Sequence, residues 1–437
     1  MARKKDEAPV PSTRLGRFAR IAKLAGGVAG GMVAEGTRRV RSGQRIRARD
    51  MLLTPANARR VADELAHMRG AAMKMGQMLS MDGGDFLPKE LADILARLRS
   101  DAVAMPTKQL KQTMQESFGE DWQDIFYGFE FKPIAAASIG QVHRAISPDG
   151  KELALKIQYP GVAKSIDSDV DNIATLLRLS GLLPASLDIG PLLEEAKAQL
   201  RNEADYLQEA QHLATFAELL ADDERFVVPE VFADLTTRQV LAMSYVHSEP
   251  IEVVADLSQQ QRDEIVTAMI DLMLQEFFEL RLVQTDPNFA NYRYQADSGK
   301  IVLLDFGATR KFKAGFVNDY KRMIKAFTAG HDQRLLSAAE KLGYLVKDAS
   351  EEYQALVLEI FKLVLEPLTY DGAYDFGGTD LSTRLASLAE SVQEFREFWQ
   401  APPPDAIFFH RKVGGMFLMA QRMNARVNIG QLLQRRL

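Results

Sequence analysis

Apolar residues at Val61, Leu65, Met68, Ala72, Met75 and Leu79 recur in steps of three and four, which predicts one face of a helix between Pro55 and Met81. Lys74 and Gln77, three apart, fall on another face of it. Gly76 inside that helix costs about 1 kcal/mol against alanine, so it points to close packing or contact with a ligand. A second helix is predicted over Leu87–Arg99, with Pro88 in its first turn, followed by a polar connection near Pro106. From Phe131 the pattern changes. IAAASIGQVHRAI, the turn Pro148-Asp149-Gly150 and the alternating ELALKIQY predict two strands joined as a hairpin after an alanine-rich loop. Leu193, Ala196, Leu200, Ala204, Leu207, Ala210, Ala214 and Ala217 predict one long helix from Pro191 to Leu220. Two extended runs follow, RFVVPEVFAD and RQVLAMSYV, with the turn-rich HSEP as a junction. Beyond it Ser258–Leu280 is helical, IVLLDFG is a buried strand ending in glycine, and the rest to Leu437 is mostly helical. A small sheet with one helix and then a helical region is an α+β arrangement with segregated layers.

The 437-residue length calls for two lobes plus appendages rather than one small core. With no cysteine, the chain has no disulfide, no thiolate metal site and no cysteine nucleophile, in keeping with a reducing compartment; any metal must sit on oxygen or nitrogen. Residues 1–50 hold thirteen Lys/Arg against four Asp/Glu, so the remainder is acidic and only the front end is electrostatically adhesive. Within that end, the apolar run Leu24–Ala34 is eleven residues long, short of the roughly 20 a membrane-spanning helix needs. No transmembrane segment or secretory leader is expected. The six histidines show no ligand spacing and the basic residues lack interleaved aromatics, so histidine-metal and nucleic-acid functions are set aside.

The strongest chemical signal joins QTDPNFAN to LLDFG: Asp286 and Asn291 are five apart and Asp305-Phe306-Gly307 begins fourteen residues later. Phosphoryl transfer needs a carboxylate to orient or deprotonate the attacking hydroxyl or water, and oxygen ligands for the magnesium that bridges the nucleotide phosphates. Asp286 suits the first task; Asn291 and Asp305 suit the second, with the spacing of a protein-kinase catalytic loop and strand end. Lys156 in ALKIQ is too costly to bury unpaired, so Glu209 on the long helix is its expected partner, aiming the ammonium at the α- and β-phosphates. Met243, Ser244, Tyr245 and Val246 have the form of a hinge whose extended backbone binds an adenine edge. No GxGxxG precedes Lys156; Ala135, Ala136, Ala137, Ser138, Ile139, Gly140 and Gln141 stand there, and alanine wraps phosphate less freely than glycine. A simple, fast protein kinase is thereby disfavoured.

From about Pro55 to near its end, the chain resembles the UbiB, or AarF-domain, family of atypical protein-kinase-like proteins, which includes the mitochondrial coenzyme Q kinase-like proteins. Lys74-Met75-Gly76-Gln77 is similar to that family's KxGQ motif, Ala135–Gln141 to its alanine-rich nucleotide loop and Glu203-Ala204-Asp205 to its ExD motif. The resemblance implies a two-lobe kinase-like fold with an added helical extension: a basic tail over 1–50, the extension over 51–115, the N-lobe over 116–247 and the helical C-lobe over 248–437. It implies ATP or ADP with Mg2+ as cofactors and regulatory Lys74, Gly76 and Gln77 folded over the core, Lys74 meeting Glu203 and Asp205. It further implies an ATPase or small-molecule kinase supporting ubiquinone and isoprenoid-lipid metabolism. The partners expected with it are a lipid or quinone-precursor ligand, an anionic membrane surface at residues 1–50 and quinone-biosynthesis proteins. The expected location is cytoplasmic or peripheral at the inner face of a membrane, and mitochondrial in a eukaryote. The family includes members with C-terminal transmembrane helices; here FFHRKVGGMFLMAQRMNARVNIG is interrupted by charge and glycine. A true protein kinase and a non-catalytic lipid-binding protein are the alternatives.

Overall fold

In a computed structural model, residues 104–437 are described apart from 138, 180–189, 393–394, 396–397 and 399–401. The basic tail and the extension motif with Lys74, Gly76 and Gln77 lie outside the described residues, as does Ser138. The described residues fall into two units, one running to Thr215 and resuming over Pro229–Tyr245, the other made of Phe216–Val228 and Val246–Leu437. Phe216–Val228, which the sequence reading placed in the N-lobe, therefore belongs to the second unit.

The first unit is built on an antiparallel sheet of β1 (Gly128–Phe129), β2 (Ala135–Ala136), β3 (Gly140–Ile146), β4 (Glu152–Gln158) and β6 (Val240–Ser244), ordered β1-β3-β4-β6 with β2 on β3. β5 (Phe226–Val227) belongs to the other unit. Strand periodicity sends Leu153, Leu155 and Ile157 into a core with Trp122, Phe126, Leu110 and Met114, the last two from helix α1 (Thr107–Phe118). Burying each such side chain contributes about 1.5–3 kcal/mol. The opposite face of β4 carries Ala154, Lys156 and Gln158, and these are buried too, so the strand is covered on both sides. Helix α1 stands where a polar connection is read from sequence, because only a narrow stripe of it is apolar. Helix α2 (Val162–Leu179) is likewise unread, although Ile166, Val170, Ile173 and Ala174 mark its buried face.

The long helix predicted over Pro191–Leu220 is two helices, α3 (Gly190–Glu203) and α4 (Tyr206–Leu219). The break has a local cause. Asp205 Oδ1 accepts from Gln208 N at 3.2 Å, as an N-cap does, and the Gln158 amide donates to Ala204 O at 2.8 Å. The run RFVVPEVFAD is also divided: its first part forms β5 in the second unit, while Val231 bridges to Met243 in the first.

In the second unit, β5, β7 (Glu249–Pro250), β9 (Tyr292–Gln295) and β10 (Lys300–Leu303) form a sheet ordered β5-β10-β9-β7, with β5 and β10 parallel. β8 (Leu282–Gln284) pairs with β11 (Thr309–Lys311), Thr309 opposite Gln284. Helix α5 (Gln259–Gln275) opens on a Ser258/Gln261 capping box and runs into a π-helical turn over Glu276–Leu280, which places Glu276 and Phe277 inward. The remaining helices are α6 (Ala314–Thr328), α7 (Asp332–Lys341), α8 (Glu351–Val364), α9 (Glu366–Thr369), α10 (Leu381–Val392), α11 (Pro404–Arg422) and α12 (Ile429–Gln434), with strands β12 (Tyr374–Asp375) and β13 (Arg426–Val427) paired among them. Among the described residues no helix is long and apolar enough to cross a membrane.

Candidate functional site

In the first unit, Lys156 lies between Val142 of β3 and Leu241 of β6. Its Nζ is 2.6 Å from Glu209 Oε1, and their side chains are 8% and 1% exposed. An ion pair this far from water persists only when both charges are matched. The Tyr206 ring lies 5.3 Å from the ammonium, and Tyr206 opens the helix that Asp205 caps, so the break at Ala204–Asp205 sets the turn from which Glu209 reaches Lys156. Glu203 is buried at the end of α3.

The alanine-rich segment is a tight hairpin. β2 pairs with β3 (Ala135 opposite Val142, Ala136 opposite Gln141), and Ala137 N donates to Gly140 O at 3.0 Å. Ala135 and Ala136 are exposed, while Ile139, Gly140 and Gln141 are buried. A Cβ on Gly140 would lie 2.3 Å from Ile157 O, so this glycine lets two strands approach. The Gln141 side chain, 2% exposed, is engaged internally: Oε1 accepts from Met105 N at 2.9 Å and Nε2 donates to His143 Nε2 at 2.7 Å. His143 Nδ1 faces Glu130 O at 2.8 Å, which holds the ring in the neutral Nδ1–H form. Burial lowers the pKa of this imidazole, outweighing the carbonyl contact. Of the seven residues expected at a nucleotide, Ile139, Gly140 and Gln141 thus have side chains, or a missing side chain, committed to the unit's own packing.

Met243 is buried opposite Ala154, and Tyr245 N donates to Glu152 O at 2.9 Å while its ring lies 4.9 Å from the Arg144 guanidinium. The chain passes from the first unit to the second between Tyr245 and Val246.

In the second unit, the loop after β8 and the loop after β10 run side by side. Thr285 donates to Ala308 O through its hydroxyl at 2.7 Å and its N–H at 3.2 Å, and Leu304 N donates to Asn291 O at 3.0 Å. These bonds bring Asp286, Asn291 and Asp305 onto one pair of loops. The Asp286 carbonyl accepts from Gln284 Nε2 at 2.9 Å and Asn291 Nδ2 at 3.1 Å, so the Asn291 amide nitrogen is occupied and its oxygen is the atom suited to a hard cation. Asp305 Oδ1 accepts from Gly307 N at 3.0 Å, turning the chain after β10. Phe306 is buried with its ring 4.5 Å from that of Phe216. Among the described residues no group of three or more Asp, Glu or His forms a metal cage, so a magnesium held by Asn291 and Asp305 would complete its shell with phosphate and water.

Sequence reasoning missed the residues behind these loops. Arg411 Nη2 lies 3.2 Å from Asp286 Oδ1. Lys412 Nζ donates to Tyr292 Oη at 2.7 Å and to Gln284 Oε1 at 3.1 Å, and stands 3.7 Å from Glu276 Oε2. Burial pushes the Glu276 carboxyl up to about 7 despite that ammonium; burial also opposes the charge on Lys412, but Glu276 and Tyr292 together hold its pKa above the ordinary lysine value. Glu276, Lys412, Asn291 and Asp305 line one small void. The only sequence signal for this arrangement is a pair of cations in an apolar helix.

Residues 97–339 match the ABC1 atypical kinase-like domain. The chain is 38% identical to the mitochondrial atypical kinase COQ8B of Rattus norvegicus, over 98% of this chain and 81% of that protein. It is 35% identical to the mitochondrial atypical kinase COQ8 of Saccharomyces cerevisiae, over 97% and 85%. Identity to the mitochondrial atypical kinase coq-8 of Caenorhabditis elegans is 36% over 98% of this chain, which spans 58% of that protein's length. In fold it is similar to Rv3197 of Mycobacterium tuberculosis, solved with erythromycin, at a TM-score of 0.60 and 24% identity, covering 85% of this chain and 93% of that one. With an α+β, protein-kinase-like fold and these relatives, the chain belongs to the ABC1 atypical kinase-like family, of which the UbiB proteins are members.

Proposed function

We propose that this chain is an ATP-dependent atypical kinase-like enzyme, an ATPase or small-molecule kinase, that supports ubiquinone and isoprenoid-lipid biosynthesis. The observation that carries the reading is the side-by-side course of the loops bearing Asp286, Asn291 and Asp305. In it, Asp286 orients the attacking hydroxyl or water and takes its proton, while Asn291 and Asp305 would hold Mg2+, which when bound would supply charge neutralisation at the phosphates. Lys156, held by Glu209, contacts the nucleotide phosphates. Exposed Ala135 and Ala136 lie at the phosphate loop, and backbone near Met243, Tyr245 and Val246 meets the adenine. Glu203 and Asp205 have a regulatory part, which they share with Lys74, Gly76 and Gln77 outside the described residues. The buried commitments of Ile139, Gly140 and Gln141 favour a scaffolding part for them in that loop. The ligand acted on is a lipid or quinone precursor, reached at an anionic membrane surface through residues 1–50 and with quinone-biosynthesis proteins as partners.

Purified full-length chain should bind MgATP and MgADP and release phosphate. Asp305→Asn should weaken the magnesium-dependent part of nucleotide binding by at least about tenfold. Equal magnesium dependence in the variant and the wild type would contradict the assignment. Isoprenoid quinone levels in cells with and without the chain test the metabolic part.

A further inference from the structure

Arg411, Lys412 and Gly415, which interrupt the apolar run of α11, are what it turns toward the catalytic loop. Arg411, its side chain 2% exposed, reaches Asp286 Oδ1 at 3.2 Å. Lys412 holds Gln284, before the loop, and Tyr292, after it. Gly415 follows Arg411 by one helical turn on the same face, and a Cβ there would lie 2.1 Å from Pro287 Cβ. Residues before, within and after the loop are therefore held by three positions within five residues of one helix. The helix is itself anchored: Asp405 pairs with Arg310 at 2.9 Å, and the Phe409 ring stacks on Phe277 with centroids 3.7 Å apart.

The loop Thr285–Asn291 contains no lysine or arginine, so the cation beside its carboxylate comes from 125 residues away. A guanidinium is planar and keeps its charge at any working pH, which suits it to fix a carboxylate's orientation. Its burial withdraws it from the role of a solvent-facing phosphate ligand. The match to the ABC1 domain ends at residue 339, before α11 begins. We infer that Arg411 is a positioning residue for Asp286, and that α11 completes the phosphoryl-transfer loop from outside the matched domain. This rests on Asp286 having the catalytic part proposed above.

The test measures ATP turnover, MgADP affinity and thermal unfolding of the full-length chain for Arg411→Gln, Arg411→Lys, Asp286→Asn and the Arg411→Gln/Asp286→Asn double variant. Arg411→Gln is expected to slow turnover about 100-fold, as a displaced reacting group does, with MgADP affinity within about twofold of wild type. Arg411→Lys, which keeps the charge and loses the planar fork, should recover part of the loss. The double variant should be no slower than Asp286→Asn alone, because Arg411 acts through Asp286. Wild-type turnover in Arg411→Gln, or a double variant slowed by the product of the two single effects, overturns the inference. If Asp286→Asn itself turns over normally, the catalytic reading of the loop fails; if only Asp286→Asn is slow, the positioning role fails alone. Should Arg411→Gln not fold, Arg411→Lys decides: turnover at least about tenfold down with a wild-type melt supports the role, and unchanged turnover overturns it.

Discussion

Separating Lys156 from Glu209 tests stability and chemistry at once. At 2.6 Å and an effective dielectric near 20, their attraction is about 6 kcal/mol, much of it offset by the cost of taking both charges out of water. Removing one partner leaves the other charge buried, and that costs about 3–5 kcal/mol. Lys156→Met or Glu209→Gln should therefore lower the unfolding temperature of the first unit by roughly 6–20 °C, at about 2–4 °C per kcal/mol. Replacing both, as Lys156→Met/Glu209→Leu, removes both charges and should recover most of that stability, but not ATP turnover. The assay is thermal unfolding by circular dichroism beside phosphate release from MgATP. Single variants that melt with the wild type would refute the energetic argument. A double variant that hydrolyses ATP normally would refute the role given to Lys156.

Gly140→Ala places a methyl 2.3 Å from the Ile157 carbonyl, a backbone atom with little room to move, and should destabilise the chain by about 3 kcal/mol in urea unfolding; a variant of wild-type stability would show that β3 and β4 part readily. Glu276 gives a pH dependence with a definite sign. Its carboxyl rises from 4.5 to about 7 on folding, so the folded chain binds the proton more tightly, and stability falls as pH rises through that window, by about 3 kcal/mol in all. Glu276→Gln should flatten that slope between pH 5 and about pH 8, measured by urea unfolding at each pH; an unchanged slope would assign the dependence to other groups.

The sequence by itself determined the local arrangements whose parts lie close together in the chain. The Asp286/Asn291 spacing, the DFG turn and a lysine inside an apolar strand are legible because a loop or a strand fixes the relative positions of near neighbours. Periodicity likewise showed the hairpin of β3 and β4 and the helix that opens at Ser258. It failed where a helix buries only a thin stripe, as α1 does. It failed again at Ala204–Asp205, where apolar spacing continues across a break held by the Gln158 amide and the Asp205 cap.

Only the tertiary structure decided which polar residues would be buried, and against what. In the linear pattern Arg411, Lys412 and Gly415 read as interruptions of an apolar segment. In the fold they are the contacts that segment makes with the loop of Asp286, 125 residues earlier in the chain for Arg411. Gln141 and Gly140 read as parts of a nucleotide loop, yet a neighbouring strand leaves no room for a Cβ on one, and Met105 and His143 engage the amide of the other. The physical reason is the same in each case. Spacing along a chain reports which face of an element a residue occupies, whereas the partner on that face is chosen by segments arriving from elsewhere, and a buried charge or amide must find its match among them.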